Sequence, residues 1–127
     1  MVPHSGQVTL SFTPTLAPMA RGILATCTAR LASAATADRL RDTLTAAYQG
    51  EPFVHVLPER RWPGTGATLG SNAAHIQVAA DTHAGRAIVI SALDNLGKGA
   101  AGQAIQIANL MLGLPETAGL TPHGVSP

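Results

Sequence analysis

The feature that most constrains the fold is a strand that runs into a glycine-rich turn and then into an apolar helix. The strand is AIVISAL at 87–93, which almost lacks polar alternation and predicts a central strand buried on both faces. The turn is GKGAAG at 97–102, which matches G-x-G-x-x-G, and a helix is predicted from Gly99 or Ala100 to Gly113. A strand, a glycine turn and a helix in this order are the setting of a dinucleotide-binding motif.

The residues after the turn argue against a self-contained dinucleotide site. Those beyond Gly102 suffice for one helix and an irregular tail, so no second strand completes a βαβ unit. Glu116, at the spacing of a ribose-binding acid, follows a proline in that tail. Two interpretations of the turn remain. Its glycines only permit a tight turn, or its backbone N–H groups, beside Lys98, suit an anion or a polar amide.

Short strands and one clear helix are predicted in the rest of the chain. The predicted strands are 8–12, 23–28, 53–57 and 74–80. A helix is predicted between an N-cap at Thr36 and a stop at Gly50. Residues 58–70 form a long loop, of the kind that is often functional or covered by a partner. This order predicts a single domain, 1–127, of the α+β class, with one mixed or antiparallel sheet and helices packed on one face.

Composition narrows the classes of function. Charged residues make up 12% of the chain and the net charge is +1, with Lys and Arg scattered, which does not favour nucleic acid as a partner. No stretch approaches about 20 apolar residues, so we expect no membrane span. The single cysteine, Cys27, and the lack of a signal-peptide pattern fit a cytoplasmic location. The histidines lack metal-ligand spacing, so no metal site is predicted.

Apolar surface and composition also bear on whether the chain associates with other copies of itself. The last predicted helix is apolar nearly all round, and such a helix is buried or packs on something outside its own chain. A core with few aromatic residues gains from subunit association. We therefore expect a homo-oligomer, either a dimer or a tetramer.

The sequence context suggests roles for three side chains that carry rings. His55 alternates with Phe53 and Leu57 and is predicted to be a structural histidine paired with an oxygen. His75 is expected to face a partner or the edge of the core. Trp62, in the long loop, is either an apolar plug or an anchor for an interface or substrate loop.

Several separated segments, in the right order, resemble the C-terminal part of N-acetyl-γ-glutamyl-phosphate reductase, an enzyme of the arginine pathway. They are SFTPTLAPMARGILATCTARL, AAYQGEPFVHVLPE, ATLGSNAAHIQVAAD and SALDNLGKGAAGQAIQIANLMLGLPETAGL. The resemblance implies the fold of the C-terminal domain of glyceraldehyde-3-phosphate-dehydrogenase-like reductases. It also implies NADP as cofactor and a Rossmann-type domain or chain, absent from this sequence, that holds most of it.

The resemblance implies roles for four residues. Asn95 is expected to contact the nicotinamide end of NADP, with Lys98 and Gly99 close to the cofactor in the same turn. Arg21 is a plausible substrate-side cation. In this family a cysteine thiolate attacks the acyl phosphate, hydride passes to or from NADP, and a histidine moves protons.

Motifs that the family uses for catalysis are missing. Neither its Pro-Gly-Cys-Tyr type motif nor its His-x-His-x-Pro-Glu stretch is present, and neither Cys27 nor His4 matches them, so no catalytic residue is assigned. We therefore expect the chain to be inactive alone and to supply a dimer interface, a substrate-side scaffold and a nicotinamide-contacting turn. The alternative is a stand-alone relic of that domain, reused as a binding or oligomerising module or for another small-molecule reaction.

Two positions depart from the family pattern. Gly97 stands where the family usually has a bulkier apolar residue, which suggests that the first glycine of the motif is incidental. Arg60 and Arg61 replace a Gly-polar pair that often follows LPE, which puts the geometry of the 58–70 loop in doubt.

Overall fold

The computed structural model describes residues 9–125 and contains one four-stranded sheet with flanking helices. Its elements are, in chain order, β1 (Ile23–Arg30), α1 (Ala37–Ala47), β2 (Val54–Val56), α2 (Thr65–Thr68), β3 (Ala74–Asp81), β4 (Arg86–Leu93), a π-helical turn (Gly97–Ala101) and α3 (Gly102–Met111). The strand order is β1-β4-β3-β2. β4 is antiparallel to both of its neighbours and β2 is parallel to β3. The sheet is mixed, which confirms the predicted α+β class.

The β3–β4 hairpin sets the register of the sheet. Asp81 pairs with Arg86 at its closed end, and the Asp81 carboxylate accepts a hydrogen bond from Ala84 N at 2.9 Å. Gly85 completes the turn with φ +62°, a left-handed conformation that glycine adopts without steric cost. β4 also pairs with β1 from Ile23↔Leu93 to Arg30↔Arg86. The predicted central place of 87–93 is confirmed.

Burial of β4 differs from the prediction. Of its eight residues only Ala92 is buried, and the others are half-buried or, at Arg86, exposed. The apolar run predicted that both faces of β4 are covered. Helix α1 instead packs on β3 and β2, in the half of the sheet that ends with β2. β1 is exposed along almost its whole length. The sheet is therefore incompletely covered by residues 9–125.

Helix α1 forms where its local sequence predicts. The Thr36 hydroxyl accepts a hydrogen bond from Arg39 N at 3.2 Å and so caps the first turn. Asp38 in that turn bonds the Arg41 guanidinium at 2.8 Å. The chain leaves the helix through Gly50, which has φ +86°. The long loop after β2 contains one short helix, α2, which the sequence did not predict.

The predicted N-terminal strand is wrong over the residues that the structure describes. Residues 9–12 form no strand, and Leu10 and Phe12 are 88% and 81% exposed. Val8, the first residue of that prediction, lies outside the described range. Alternation of apolar and polar residues makes a strand only where a neighbouring strand pairs with it, and β1 pairs only with β4.

The core lies around β3. Its buried apolar side chains are Phe53, Ala73, Ala74, Ile76, Val78 and Ala92. In contrast, α3 continues directly from the π-helical turn and exposes large apolar side chains, with Met111 81% exposed. Within 9–125 no helix has the length and apolarity needed to cross a membrane.

Candidate functional site

Asp94, immediately after β4, is the centre of a buried polar cluster. Its carboxylate is fully buried and forms a two-point ion pair with Arg21, with Nε–Oδ1 at 2.9 Å and Nη2–Oδ2 at 2.7 Å. Paired N–H···O bonds of this kind are among the stronger hydrogen bonds in proteins. The pair joins the segment before β1 to the end of β4.

Backbone donors complete the coordination of the Asp94 carboxylate. Gly70 N, at the end of the long loop, donates to Oδ2 at 2.6 Å. Leu96 N and Gly97 N, at the start of the π-helical turn, donate to Oδ1 at 2.8 and 2.9 Å. Burial alone would raise the pKa of this carboxyl, but Arg21 and the three backbone donors outweigh it and hold the pKa well below its usual range.

Asn95 is held in place by the same segment before β1 that supplies Arg21. Its Oδ1 accepts a hydrogen bond from Gly22 N at 2.7 Å. Gly22 has φ +113°, and a Cβ atom there would lie 2.7 Å from the Thr65 Cβ, so both backbone conformation and space require glycine. Because the Asn95 oxygen is occupied, the amide nitrogen is the group left to donate outward.

The N–H groups of the turn do not form an open anion site. Leu96 N and Gly97 N bind the Asp94 carboxylate, and Gly99 N donates to the Asp94 carbonyl at 2.9 Å. The anion that the glycine turn favours is thus a side chain of the same protein. Gly97 also has a packing reason to be glycine, because a Cβ atom there would overlap the Ser71 carbonyl oxygen. The first glycine of the motif is therefore structurally required in this fold.

Lys98 points into a second polar chain. Its Nζ donates to Gln106 Oε1 at 2.7 Å and lies 5.7 Å from the centre of the Phe53 ring. Gln106 in turn donates to Glu116 Oε1 at 2.6 Å and accepts from Asn72 Nδ2 at 2.8 Å. Burial lowers the pKa of Lys98, while Glu116 and Glu51 act in the opposite direction.

The structure thus brings together two of the four predicted site residues, Arg21 and Asn95, on either side of Asp94. Lys98 and Gly99 belong to the same turn, but Lys98 Nζ is bonded to Gln106 and Gly99 N to the Asp94 carbonyl. Asp94 was not among the site residues predicted from the sequence. The signal in the sequence that could have identified it is an acidic residue directly after the predicted buried strand and directly before a polar residue.

The two strand histidines contact each other. The rings of His55 and His75 meet edge to face, with centroids 5.4 Å apart and planes at 82°. His55 Nε2 is buried and has no hydrogen-bond partner among residues 9–125. The predicted oxygen partner is therefore wrong for that nitrogen. In the same part of the chain, no group of three or more His, Cys, Asp or Glu side chains is placed to hold a metal ion.

Comparison with known families defines the class of domain. Residues 2–95 match the dimerisation domain of semialdehyde dehydrogenase, and the chain belongs to this family. The names of similar curated proteins are more specific than the family description, since they read N-acetyl-gamma-glutamyl-phosphate reductase. The protein from Frankia casuarinae is 66% identical over 94% of this chain, and that from Acidothermus cellulolyticus 62% over 94%. The matched region is 35% of each relative and corresponds to its C-terminal part, which confirms the resemblance.

Proposed function

We propose that the chain serves as the C-terminal portion of an NADP-dependent N-acetyl-γ-glutamyl-phosphate reductase. In this role it supplies a subunit interface, a substrate-side scaffold and the turn that contacts the nicotinamide. The observation that carries the proposal is the fixed amide of Asn95, at the end of the central strand, in a chain 66% identical to a protein of that name. The remaining parts of the active site would come from a Rossmann-type domain or chain.

The Asn95 amide fits a nicotinamide. Its oxygen is occupied by Gly22 N at 2.7 Å, so the side chain cannot rotate without losing that bond. The amide nitrogen is then held as a donor, which is the group needed to bind the carboxamide oxygen of the ring. When bound, NADP supplies hydride chemistry, while this chain orients the ring.

The other predicted site residues contribute less directly to this proposal. Gly99 is exposed at the turn, where its lack of a side chain leaves room for a cofactor. Lys98 remains within the same turn, with its ammonium partly occupied by Gln106. Arg21 stays a candidate for the substrate side because its side chain is 35% exposed, although Asp94 neutralises much of its charge.

Uncovered surfaces support an assembly. β1 is an edge strand exposed along almost its whole length, with Ile23 and Leu24 43% and 53% exposed, and α3 exposes Ile107, Leu110 and Met111. Large apolar side chains exposed on one element are typical of sites of protein association. Together with the family description, they support a homo-oligomer.

A chimaeric enzyme tests the proposal. The C-terminal segment of the Frankia casuarinae reductase is replaced by this chain, and oxidation of NADPH is followed with N-acetyl-γ-glutamyl phosphate as substrate. We expect turnover by the chimaera and none by the purified chain, because the family's catalytic cysteine and histidine motifs are not in it. A correctly folded chimaera without activity would contradict the proposal, and so would turnover by the chain alone in a Cys27→Ala variant.

Variants of Asn95 in the chimaera isolate the nicotinamide contact. Asn95→Asp keeps the acceptor for Gly22 N and removes the amide donor, whereas Asn95→Ala removes both. We expect Asn95→Asp to lose about fivefold or more in kcat/KM for NADPH while its thermal stability stays close to that of the parent, since one hydrogen bond is worth about 1 kcal/mol. An unchanged kcat/KM in Asn95→Asp would exclude the contact.

A further inference from the structure

A cavity of about 570 Å³ lies outside the Arg21–Asp94 cluster, within the size range of about 300–1,000 Å³ that holds small ligands. Its walls come from β2 and β3, the long loop and the tail after α3, and include His55, His75, Arg61, Trp62, Pro122 and His123. Helix α2 contributes to both regions: its Ala67 lines the cavity, and its Thr65 packs against Gly22 beside the Arg21–Asp94 cluster. We call this feature the histidine cavity.

Parallel pairing of β2 with β3 builds the floor of the histidine cavity. His55 and His75 are register partners, so both imidazoles lie on the same face of the sheet. His55 Nε2 is buried without a partner among residues 9–125. A buried polar atom that stays unpaired destabilises the fold, so a ligand atom that pairs with this nitrogen would be favoured.

Gln77 fixes the loop that forms the rim. Gln77 is 1% exposed, and its Nε2 donates to the carbonyl oxygens of Leu57 and Arg61 at 3.1 Å each and also to that of Pro58. Three backbone groups of one loop are therefore tied to a single buried side chain on β3. This arrangement holds Arg61 and Trp62 over the two histidines.

Backbone strain accompanies this fixed loop. Arg60 has φ +67°, and it is the non-glycine residue with positive φ in the described part of the chain. Such a conformation persists where the surrounding structure imposes it, and it is concentrated at ligand-binding sites. The positive φ also gives a reason for the glycine that often stands at this position in the family pattern.

Charge identifies the class of ligand. Arg61 is the charged side chain among the described residues that line the histidine cavity, and none of these residues is Asp or Glu. Burial, and then the neighbouring His55, lower the pKa of His75, which keeps that ring neutral near pH 7. A guanidinium, imidazole N–H donors and a tryptophan ring, with no competing carboxylate, suit an anion that has an apolar part.

We propose that the histidine cavity binds a small organic anion through a carboxylate or phosphate group. The oxyanion binds the Arg61 guanidinium, and the His55 imidazole turns toward the cavity so that its Nε2, which is buried in the structure, becomes a second donor. The carbon part of the ligand lies against Trp62 and Leu57. The described residues that line the cavity include neither Asn95 nor Arg21.

Titration of the 127-residue chain with two simple anions tests the proposal. Inorganic phosphate and acetate are added separately at constant ionic strength, with chloride as the balancing ion, and the imidazole signals of His55 and His75 are followed by NMR. We expect saturable shifts at both histidines in the millimolar range with at least one of the two anions. The stronger binder shows whether the site prefers phosphate or carboxylate.

Two arginine variants make the test specific. Arg61→Gln removes the cation that lines the cavity and is expected to weaken binding at least about tenfold, as for loss of one charge-assisted hydrogen bond. Arg60→Gln removes an adjacent charge that does not line the cavity and is expected to change affinity less than about twofold, as for a screened surface charge. Non-saturating shifts, or equal weakening by both variants, would overturn the proposal.

Discussion

Two polar clusters flank the short helix α2, and they differ in how completely their groups are paired. In the first, Asp94 receives two bonds from Arg21 and three from backbone N–H groups, and its side chain is fully buried. In the second, the histidine cavity, a buried nitrogen of His55 has no partner and a strained Arg60 adjoins the rim. Both clusters join segments that are distant in sequence.

The difference separates a structural cluster from a binding one. Asp94 has no unused acceptor capacity pointing outward, so its contribution is to fix the geometry around Asn95 and Gly22. The histidine cavity contains one buried nitrogen, His55 Nε2, that has no partner among residues 9–125 and could bind a ligand. Substitutions should therefore lower the free energy of unfolding strongly in the first cluster and only slightly at some positions of the second.

The largest effect is expected for Asp94→Ala. This change leaves three backbone N–H groups without their acceptor, at about 1–3 kcal/mol for a buried unsatisfied group, and removes the partner of Arg21, whose side chain is 35% exposed. Urea unfolding followed by far-UV circular dichroism measures the loss in the free energy of unfolding. In the chimaeric enzyme, we also expect a higher KM for NADPH because Asn95 loses its adjacent support.

Asp38→Ala is the matched control for Asp94→Ala. Asp38 also bonds an arginine, Arg41, at 2.8 Å, but its side chain is 80% exposed. Exposed pairs are worth about 0–1 kcal/mol, so the two aspartates should differ several-fold in their effect on unfolding. Equal losses for the two variants would remove the basis for treating Asp94 as the centre of the cluster.

The second largest effect is expected for Gln77→Leu. The substitution keeps a buried side chain of similar size but leaves the carbonyl oxygens of Leu57, Pro58 and Arg61 without their shared donor. A loss of about 1–3 kcal/mol in the free energy of unfolding is expected from unsatisfied buried groups. Trp62 fluorescence should shift in the folded state, because the loop that carries Trp62 is released. An unshifted Trp62 spectrum would mean that Gln77 does not hold the loop.

Local sequence was sufficient for parts of the fold and insufficient for both clusters. Helix α1 was predictable because its cap, Thr36, and its stop, Gly50, are adjacent to the helix itself. The partners of Asp94 lie 73 and 24 residues away, at Arg21 and Gly70, and no local pattern encodes such pairs. The failed strand at 9–12 shows the same limit, since strand formation depends on a neighbour that periodicity does not reveal.

Acid titration distinguishes the clusters by pH range. The folded pKa of His75 lies below its ordinary value of 6.5, so the unfolded state takes up the proton first and stability falls as pH drops from about 7 to 5. The folded pKa of Asp94 is depressed, so its contribution is complete above about pH 5 and is lost progressively below that. His75→Phe should flatten the upper range only, as measured by the urea midpoint at each pH. A parallel decline in wild type and His75→Phe between pH 7 and 5 would assign the effect to another group.

The smallest effect on the free energy of unfolding is expected for His55→Phe, and the informative result is whether the protein becomes more or less stable. Phenylalanine retains a ring that packs against His75 and removes the buried nitrogen that lacks a partner. Because no hydrogen bond of that nitrogen is lost, we expect a change in the free energy of unfolding between zero and about 1 kcal/mol in the stabilising direction. The same variant should bind phosphate and acetate at least about tenfold more weakly, since a ligand loses the His55 donor. A stable protein that has lost its anion site would show that the nitrogen is kept for binding, whereas a loss of about 1–3 kcal/mol would mean that His55 Nε2 has a structural partner after all.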